Sequence, residues 1–207
     1  MKIIEDLLSI NKYSRPGTKL DRVMGLVIHW TAVAGQRAKA VRQYYESEEA
    51  ALEHFGSAHF GIDLDGAIFR WIPEDEMARA VGSAELDPSS GKIYTDMARV
   101  LFPGYCDPPG QVSPNRVTLN VELCVLDQAG QISPSTRAAA VELAADVCNR
   151  YELGAGRLLR HYDIVGWKDC PRWFVNHPLD WLNFKREVFA GITRSPSAVE
   201  NERTGRE

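Results

Sequence analysis

The stretch Val23-Met24-Gly25-Leu26-Val27-Ile28-His29-Trp30 decides the architecture. It is short, apolar and β-branched, and so predicts a buried strand. Upstream of it, residues 1–20 read as an irregular lead-in with one short helical turn. Downstream, residues 36–50 predict a helix with Ala40, Val41 and Tyr44 on one face. A hairpin follows, with strands over His59–Leu64 and Ala67–Ile72; Asp65-Gly66 suits a type I′ turn, and Pro73 ends the second strand. From Ser83 to Pro114 the composition shifts to Pro, Gly, Ser and Asp around one helix-like piece at 95–102. Such a stretch on a compact domain predicts a functional surface loop. Val117 to Leu126 reads as another strand, Ser135 to Tyr151 as a helix capped by Ser135, 161–170 as a loop, and Pro178 to Ala190 as a last helix. Strands and helices alternate, so the fold class is α/β around a central sheet.

A chain of 207 residues fits one domain with a substantial core. We expect that domain to occupy residues 1–190, with the polar residues 191–207 as a tail or linker stub. The net charge of −4 argues against nucleic acid as a main partner. No apolar run approaches the roughly 20 residues of a membrane helix, so no membrane partner is expected. Acidic residues interrupt the short apolar stretch at the N-terminus and no small-residue cleavage site follows. The expectation is a protein made in the cytoplasm without its own signal peptide. The spacing of Cys106, Cys124, Cys148 and Cys170 suggests no disulfide framework. Cys124 and Cys148 read as buried small hydrophobes, and Cys106 as a free thiol in a loop.

Chemistry concentrates in the run His161-Tyr162-Asp163-Ile164-Val165-Gly166-Trp167-Lys168-Asp169-Cys170-Pro171. Together with His29, at the end of the first strand, His161 and Cys170 make two imidazoles and one thiolate. Three such ligands with a fourth position free for water are the set of a catalytic zinc, whereas a structural zinc usually takes four protein ligands. Taken singly, His29 reads first as a core histidine bonded to a carbonyl, His161 as a surface histidine and Cys170 as an ordinary buried cysteine; together the ligand reading wins. Glu122 lies among apolar residues in Leu119-Asn120-Val121-Glu122-Leu123-Cys124-Val125. Burying a carboxylate there is costly unless it is paired; it reads either as a general base or as a residue on the solvated face of an edge strand. Lys168, two residues before Cys170, is within reach of a reacting carbonyl or is a solvated surface lysine. His59 opens a strand and is expected to line the cleft, His54 to end a helix in solvent, and His177 to serve turn or cap chemistry.

Taken together these residues resemble the zinc-dependent N-acetylmuramoyl-L-alanine amidases of the type 2 family, which includes phage endolysins and bacterial autolysins and is related to the peptidoglycan-recognition proteins. The resemblance runs over about residues 10–185. It is carried by Asn11-Lys12-Tyr13-Ser14-Arg15-Pro16-Gly17, Ile28-His29-Trp30-Thr31-Ala32, Ser57-Ala58-His59-Phe60, Asn115 through Cys124, and Gly166 through Asn176. It implies a single α/β domain with a mixed sheet flanked by helices and a zinc site in a surface cleft. It implies one zinc ion per chain on His29, His161 and Cys170, with Glu122 and Lys168 as catalytic residues. Thr31, His59, Trp167 and Arg172 are expected to contact substrate. Some relatives use a tyrosine just before the hairpin histidine; here that position is Ala58, so the base function falls to Glu122. Where relatives often read Met-Ala-Tyr-His-Val-Gly-Ser, this chain has Met77-Ala78-Arg79-Ala80-Val81-Gly82-Ser83.

The implied activity is hydrolysis of the amide between N-acetylmuramic acid and L-alanine in peptidoglycan, by a monomer that reaches the wall after release through a holin or lysis. A cytoplasmic amidase acting on anhydro-muropeptides during wall recycling is an alternative, although such enzymes use an aspartate where this chain has Cys170. A non-catalytic peptidoglycan-binding module is another, although such relatives lose that cysteine.

Overall fold

A computed structural model describes residues 1–47, 55–83, 85–106 and 113–192. The expectations for His54 and for residues 193–207 lie outside the described residues. Six strands form one sheet: β1 (Ile3–Glu5), β2 (Gly25–Ala34), β3 (Phe60–Ile62), β4 (Ile68–Arg70), β5 (Thr118–Val125) and β6 (Leu158–Arg160). Their order is β1-β4-β3-β5-β2-β6. The β3–β4 hairpin is antiparallel and the other pairs are parallel, so the sheet is mixed. The helices are α1 (Ala38–Glu46), α2 (Asp96–Leu101), α3 (Pro134–Arg150), α4 (His161–Val165), α5 (Arg172–Asn176) and α6 (Pro178–Ala190). This is a single α/β domain, as the sequence predicts.

The period-2 alternation of the central strands divides the molecule into two layers. Leu26, Ile28, Leu119, Val121 and Leu123 point to one face and pack against Leu143, Val147, Phe184 and Val188 of α3 and α6. Val27 points to the other face, where it meets Phe102, Leu159 and Ile164. By the same alternation His29, Asn120 and Glu122 lie on that second face. There the sheet is covered only in part, and a cleft of roughly 430 Å³ opens over the central strands.

Several local expectations are corrected. The lead-in contains a strand, β1, paired with β4. Helix α1 turns Ala38, Val41 and Tyr45 inward and leaves Tyr44 exposed. In the hairpin, the Gly66 amide donates to the Asp63 carbonyl at 3.0 Å. Leu64 and Asp65 are therefore the central turn residues, and only Gly66 takes a positive φ, +86°. This is a three-residue loop closed by a left-handed glycine rather than a type I′ pair. The cap of α3 is Ser133, whose Oγ accepts from the Thr136 amide at 2.9 Å. Pro134 takes the first helical position, where a missing N–H costs nothing. His161, expected in a loop, begins α4 directly after β6.

Candidate metal centre and active site

Strand register assembles the site. In the β2–β5 pair His29 lies opposite Glu122, and in the β2–β6 pair Ile28 lies opposite Arg160. His161, the next residue, therefore arrives beside His29, with ring centroids 4.8 Å apart. The loop after α4 folds back so that the Tyr162 amide donates to the Cys170 carbonyl at 2.9 Å. This brings Cys170 Sγ to 3.7 Å from His29 Nδ1. The Cys170–Pro171 peptide is cis. The ligand atoms of His29, His161 and Cys170 all lie within 4.8 Å of one another, and all three residues are buried.

These residues fit a zinc ion on three grounds. Two imidazoles and a thiol are borderline-soft donors of the kind zinc takes. His161 Nδ1 is buried without a hydrogen-bond partner, a costly state for an isolated polar atom. His29 presents Nδ1 to the cluster because its Nε2 faces the Asn120 Oδ1 acceptor at 3.0 Å, which fixes the tautomer. The Asn120 amide is itself oriented, since its Nδ2 donates to the Thr118 carbonyl at 3.1 Å and the Thr118 hydroxyl at 3.3 Å. No fourth His, Cys, Asp or Glu joins the three among the described residues.

In the metal-free protein, burial sets the protonation of this group. It pushes His29 down to about 3, with Lys168 and His59 adding to the shift against the Asn120 bond. Burial, with His29 and Lys168, holds His161 well below the usual imidazole range. Burial and then the Glu122 charge push the Cys170 thiol up to about 12. The pocket thus presents neutral imidazoles and a thiol whose proton an incoming cation must displace.

Glu122 projects into the same cleft, with Oε2 shielded and unpartnered. Burial pushes its carboxyl up to about 8, against the lowering influence of Lys168 and of a hydrogen bond from Tyr45. That bond, Tyr45 hydroxyl to Glu122 Oε1 at 3.3 Å, comes from α1. Tyr45 meets Trp71 edge-on at 5.7 Å, and Trp71 lies over Gly61, the β3 residue opposite Glu122 in register. A β-carbon at Gly61 would fall 2.0 Å from the indole. The bare glycine admits Trp71, Trp71 supports Tyr45, and Tyr45 holds Glu122.

Lys168 lines the cleft and is exposed, while its carbonyl accepts from the Cys170 amide at 2.8 Å. Thr31 and Trp167 also line it, each with a buried, unpartnered polar atom. Thr31 sits where the β2–β5 register slips, next to Ala32 at φ +59°. His59 and Arg172 are elsewhere. His59 is fully buried behind the site, its Nδ1 accepting from the Asn120 amide at 3.1 Å and its Nε2 donating to the Glu76 carbonyl at 2.9 Å. Arg172 lies over the Trp30 ring at 4.8 Å, pairs with Asp169 at 3.1 Å and donates to the Gln128 carbonyl at 2.9 Å. It braces the Cys170 loop from outside the cleft. Asn120 and Tyr45 escape the sequence reading. The polar alternation Thr118, Asn120, Glu122 within a buried strand is the signal that marks Asn120.

Residues 19–173 match the family model described as N-acetylmuramoyl-L-alanine amidase. A probable N-acetylmuramoyl-L-alanine amidase of Bacillus licheniformis is 31% identical over 96% of this chain and 50% of its own length. The N-acetylmuramoyl-L-alanine amidase CwlL of the same organism is 30% identical over 91% of this chain and 47% of its own length. The chain thus spans about half the length of the curated relatives it matches. Among solved structures, the PlyG catalytic domain superposes with a TM-score of 0.65 at 20% identity, covering 95% of this chain and 99% of that one. A mutant endolysin from Bacillus subtilis gives 0.64 at 20% identity, covering 91% and 99%. At that identity the structures speak for the fold, and the family match and the curated relatives carry the assignment: the chain belongs to the N-acetylmuramoyl-L-alanine amidase family.

Proposed function

We propose that this chain hydrolyses the amide between the lactyl group of N-acetylmuramic acid and L-alanine in peptidoglycan, with one zinc ion held by His29, His161 and Cys170. The observation that carries the proposal is the convergence of those three buried ligand atoms within 4.8 Å, on the sheet face from which Glu122 and Lys168 enter one cleft. A bound zinc ion supplies Lewis acidity and a water made acidic enough to react at neutral pH.

Glu122, as carboxylate, takes a proton from the attacking water and returns it to the departing L-alanine nitrogen as the C–N bond breaks. The Tyr45 hydroxyl favours that carboxylate form and fixes its direction. Lys168 offers a cation to the oxyanion that develops on the lactyl oxygen. Asn120 keeps the Nδ1 lone pair of His29 aimed at the ligand cluster. Thr31 and Trp167 line the cleft and are placed to contact the glycan–peptide substrate. Residues 1–190 form the catalytic unit, a monomer that reaches the wall after release from the cell.

Mass spectrometry of products from purified peptidoglycan tests this, run beside Cys170→Ser and Glu122→Ala. New L-alanine amino termini on intact glycan strands, lost in both variants, are expected. Cleavage of soluble anhydro-muropeptides alone would move the activity to wall recycling. Binding without release of any terminus would leave a recognition module.

A further inference from the structure

Arg79 differs from those partly buried arginines of this protein that are held by carboxylates. Arg15 is bonded to Glu76, Arg160 to Asp163, and Arg137 to Asp180 and Glu187. Arg79 lines the cleft, its Nε is buried without a hydrogen-bond partner, and no carboxylate pairs with it among the described residues. Burial pushes its pKa down. Glu85 and Glu122 line the same cleft, and neither offsets its charge. Burying an N–H of a charged group without a partner costs stability, so its position needs a reason.

The position is built rather than incidental. The Arg79 amide donates to Ser57 Oγ at 2.9 Å, and the Arg79 carbonyl accepts from the Ser57 amide at 2.9 Å. Ser57 Oγ in turn donates to the Ser14 carbonyl at 2.6 Å. The next three amides, of Ala80, Val81 and Gly82, all donate to Asn115 Oδ1, at 3.0, 2.7 and 3.2 Å. The guanidinium lies over the Phe55 ring at 4.8 Å, which covers a flat face and leaves the N–H edge for an in-plane acceptor.

We propose that Arg79 is a specificity determinant that receives a free carboxylate of the stem peptide, so that the protein prefers stems bearing that carboxylate to stems in which it is amidated. This rests on the amidase reading of the cleft and names the form of substrate it takes. A guanidinium matches a carboxylate through two parallel N–H···O bonds. A primary amide turns its own N–H donors toward those of Arg79 and leaves part of the fork unpaired, the kind of mismatch that discriminates strongly.

The test uses a muramoyl pentapeptide with its side carboxylates free and the same peptide with them amidated. Dissociation constants are measured by calorimetry on zinc-loaded protein carrying Glu122→Gln, which prevents turnover; cleavage is measured on the unsubstituted chain. The free acid should bind at least about tenfold tighter, as expected for a charge-assisted pair. Arg79→Gln should abolish the preference without lowering the melting temperature, and Arg79→Lys should restore part of it. Equal binding of the two peptides, or a preference that survives Arg79→Gln, overturns the proposal. So does a fall in melting temperature with loss of both ligands, which assigns Arg79 to structure. Cleavage without preference removes the subsite and keeps the amidase; preference without cleavage does the reverse.

Discussion

The Glu122 carboxyl, pushed by burial from the ordinary 4.5 up to about 8, is a cost that the metal-free protein carries for its site. Below pH 4.5 the folded and unfolded chains both hold the proton and nothing is lost. As pH rises toward 8 the unfolded chain releases it while the folded chain retains it, so stability falls. The slope is about 1.4 kcal/mol per pH unit, giving on the order of 3 kcal/mol by pH 7. Glu122→Gln should therefore stabilise the metal-free protein at pH 7.5 and leave it nearly unchanged at pH 4.5. Urea unfolding at the two pH values measures this, and an equal effect at both would refute the burial of an ionisable group. Asn120 acts on the neighbouring ligand. Losing its bond to His29 Nε2 frees the ring, and Asn120→Ala should weaken zinc binding about 10–100-fold. Chelator competition reads the affinity, and an unchanged value would mean that the strand alone aims His29.

At the scale of elements, β3 and α1 meet through the space left at Gly61. Gly61→Ala puts a β-carbon 2.0 Å from the Trp71 ring, which is itself fully buried. Overpacking of this kind costs about 1–3 kcal/mol or more. Displacing Trp71 also loosens Tyr45, so activity should fall together with stability. Tyr45→Phe separates the two effects: it keeps the ring contact with Trp71 and removes only the bond to Glu122. Stability should hold, while the acid limb of the kcat/KM profile moves to higher pH because the carboxylate loses a donor; an unmoved limb would dismiss Tyr45 as a partner of Glu122. This relay was hidden in the sequence because 40/41/44 and 38/41/45 are overlapping faces of one helix, both with apolar and aromatic residues, and packing alone chooses the second. Strands β1 and β6 were equally hidden, since they are too short to show a period and exist through pairing with β4 and β2, whereas the equally short β3 and β4 were marked by the turn residues between them. The long elements β2, β5, α3 and α6 were legible because each carries an apolar run or periodicity over many residues. His29, His161 and Glu122 were legible as polar types that are costly to bury, and Cys170, since cysteine is commonly buried, only by its place in one short run with His161 and Lys168. His59 fits that description too, yet it is bonded on both ring nitrogens within the core, a distinction only partner geometry makes.

For the whole molecule, the described chain closes one sheet around a cluster whose members come from β2, the start of α4 and the loop that follows it, and metal binding is coupled to that closure. At neutral pH His29, at about 3, and His161, well below the ordinary range, bring no protons to release. Cys170, at about 12, brings one. Glu122 is partly protonated near pH 7, and a divalent cation in the same cleft favours its carboxylate. At pH 6, where a zinc-bound water keeps most of its proton, zinc binding should therefore release about one proton in Glu122→Gln and between one and two in the unsubstituted protein. The difference reports how far the ion drives Glu122 into the form that accepts a proton from water. Calorimetry in buffers of different ionisation enthalpy counts the protons, and no release in Glu122→Gln would remove Cys170 from the ligand set. The same linkage predicts that zinc in hundredfold excess over its dissociation constant adds about 2.7 kcal/mol to folding stability. At a zinc concentration fixed at that excess for pH 6, the gain should grow as pH rises to 8 and the dissociation constant falls, the direction in which the metal-free protein loses stability through Glu122. Melting curves with and without chelator across that range should therefore diverge toward alkaline pH, and parallel curves would separate the metal from both Cys170 and Glu122.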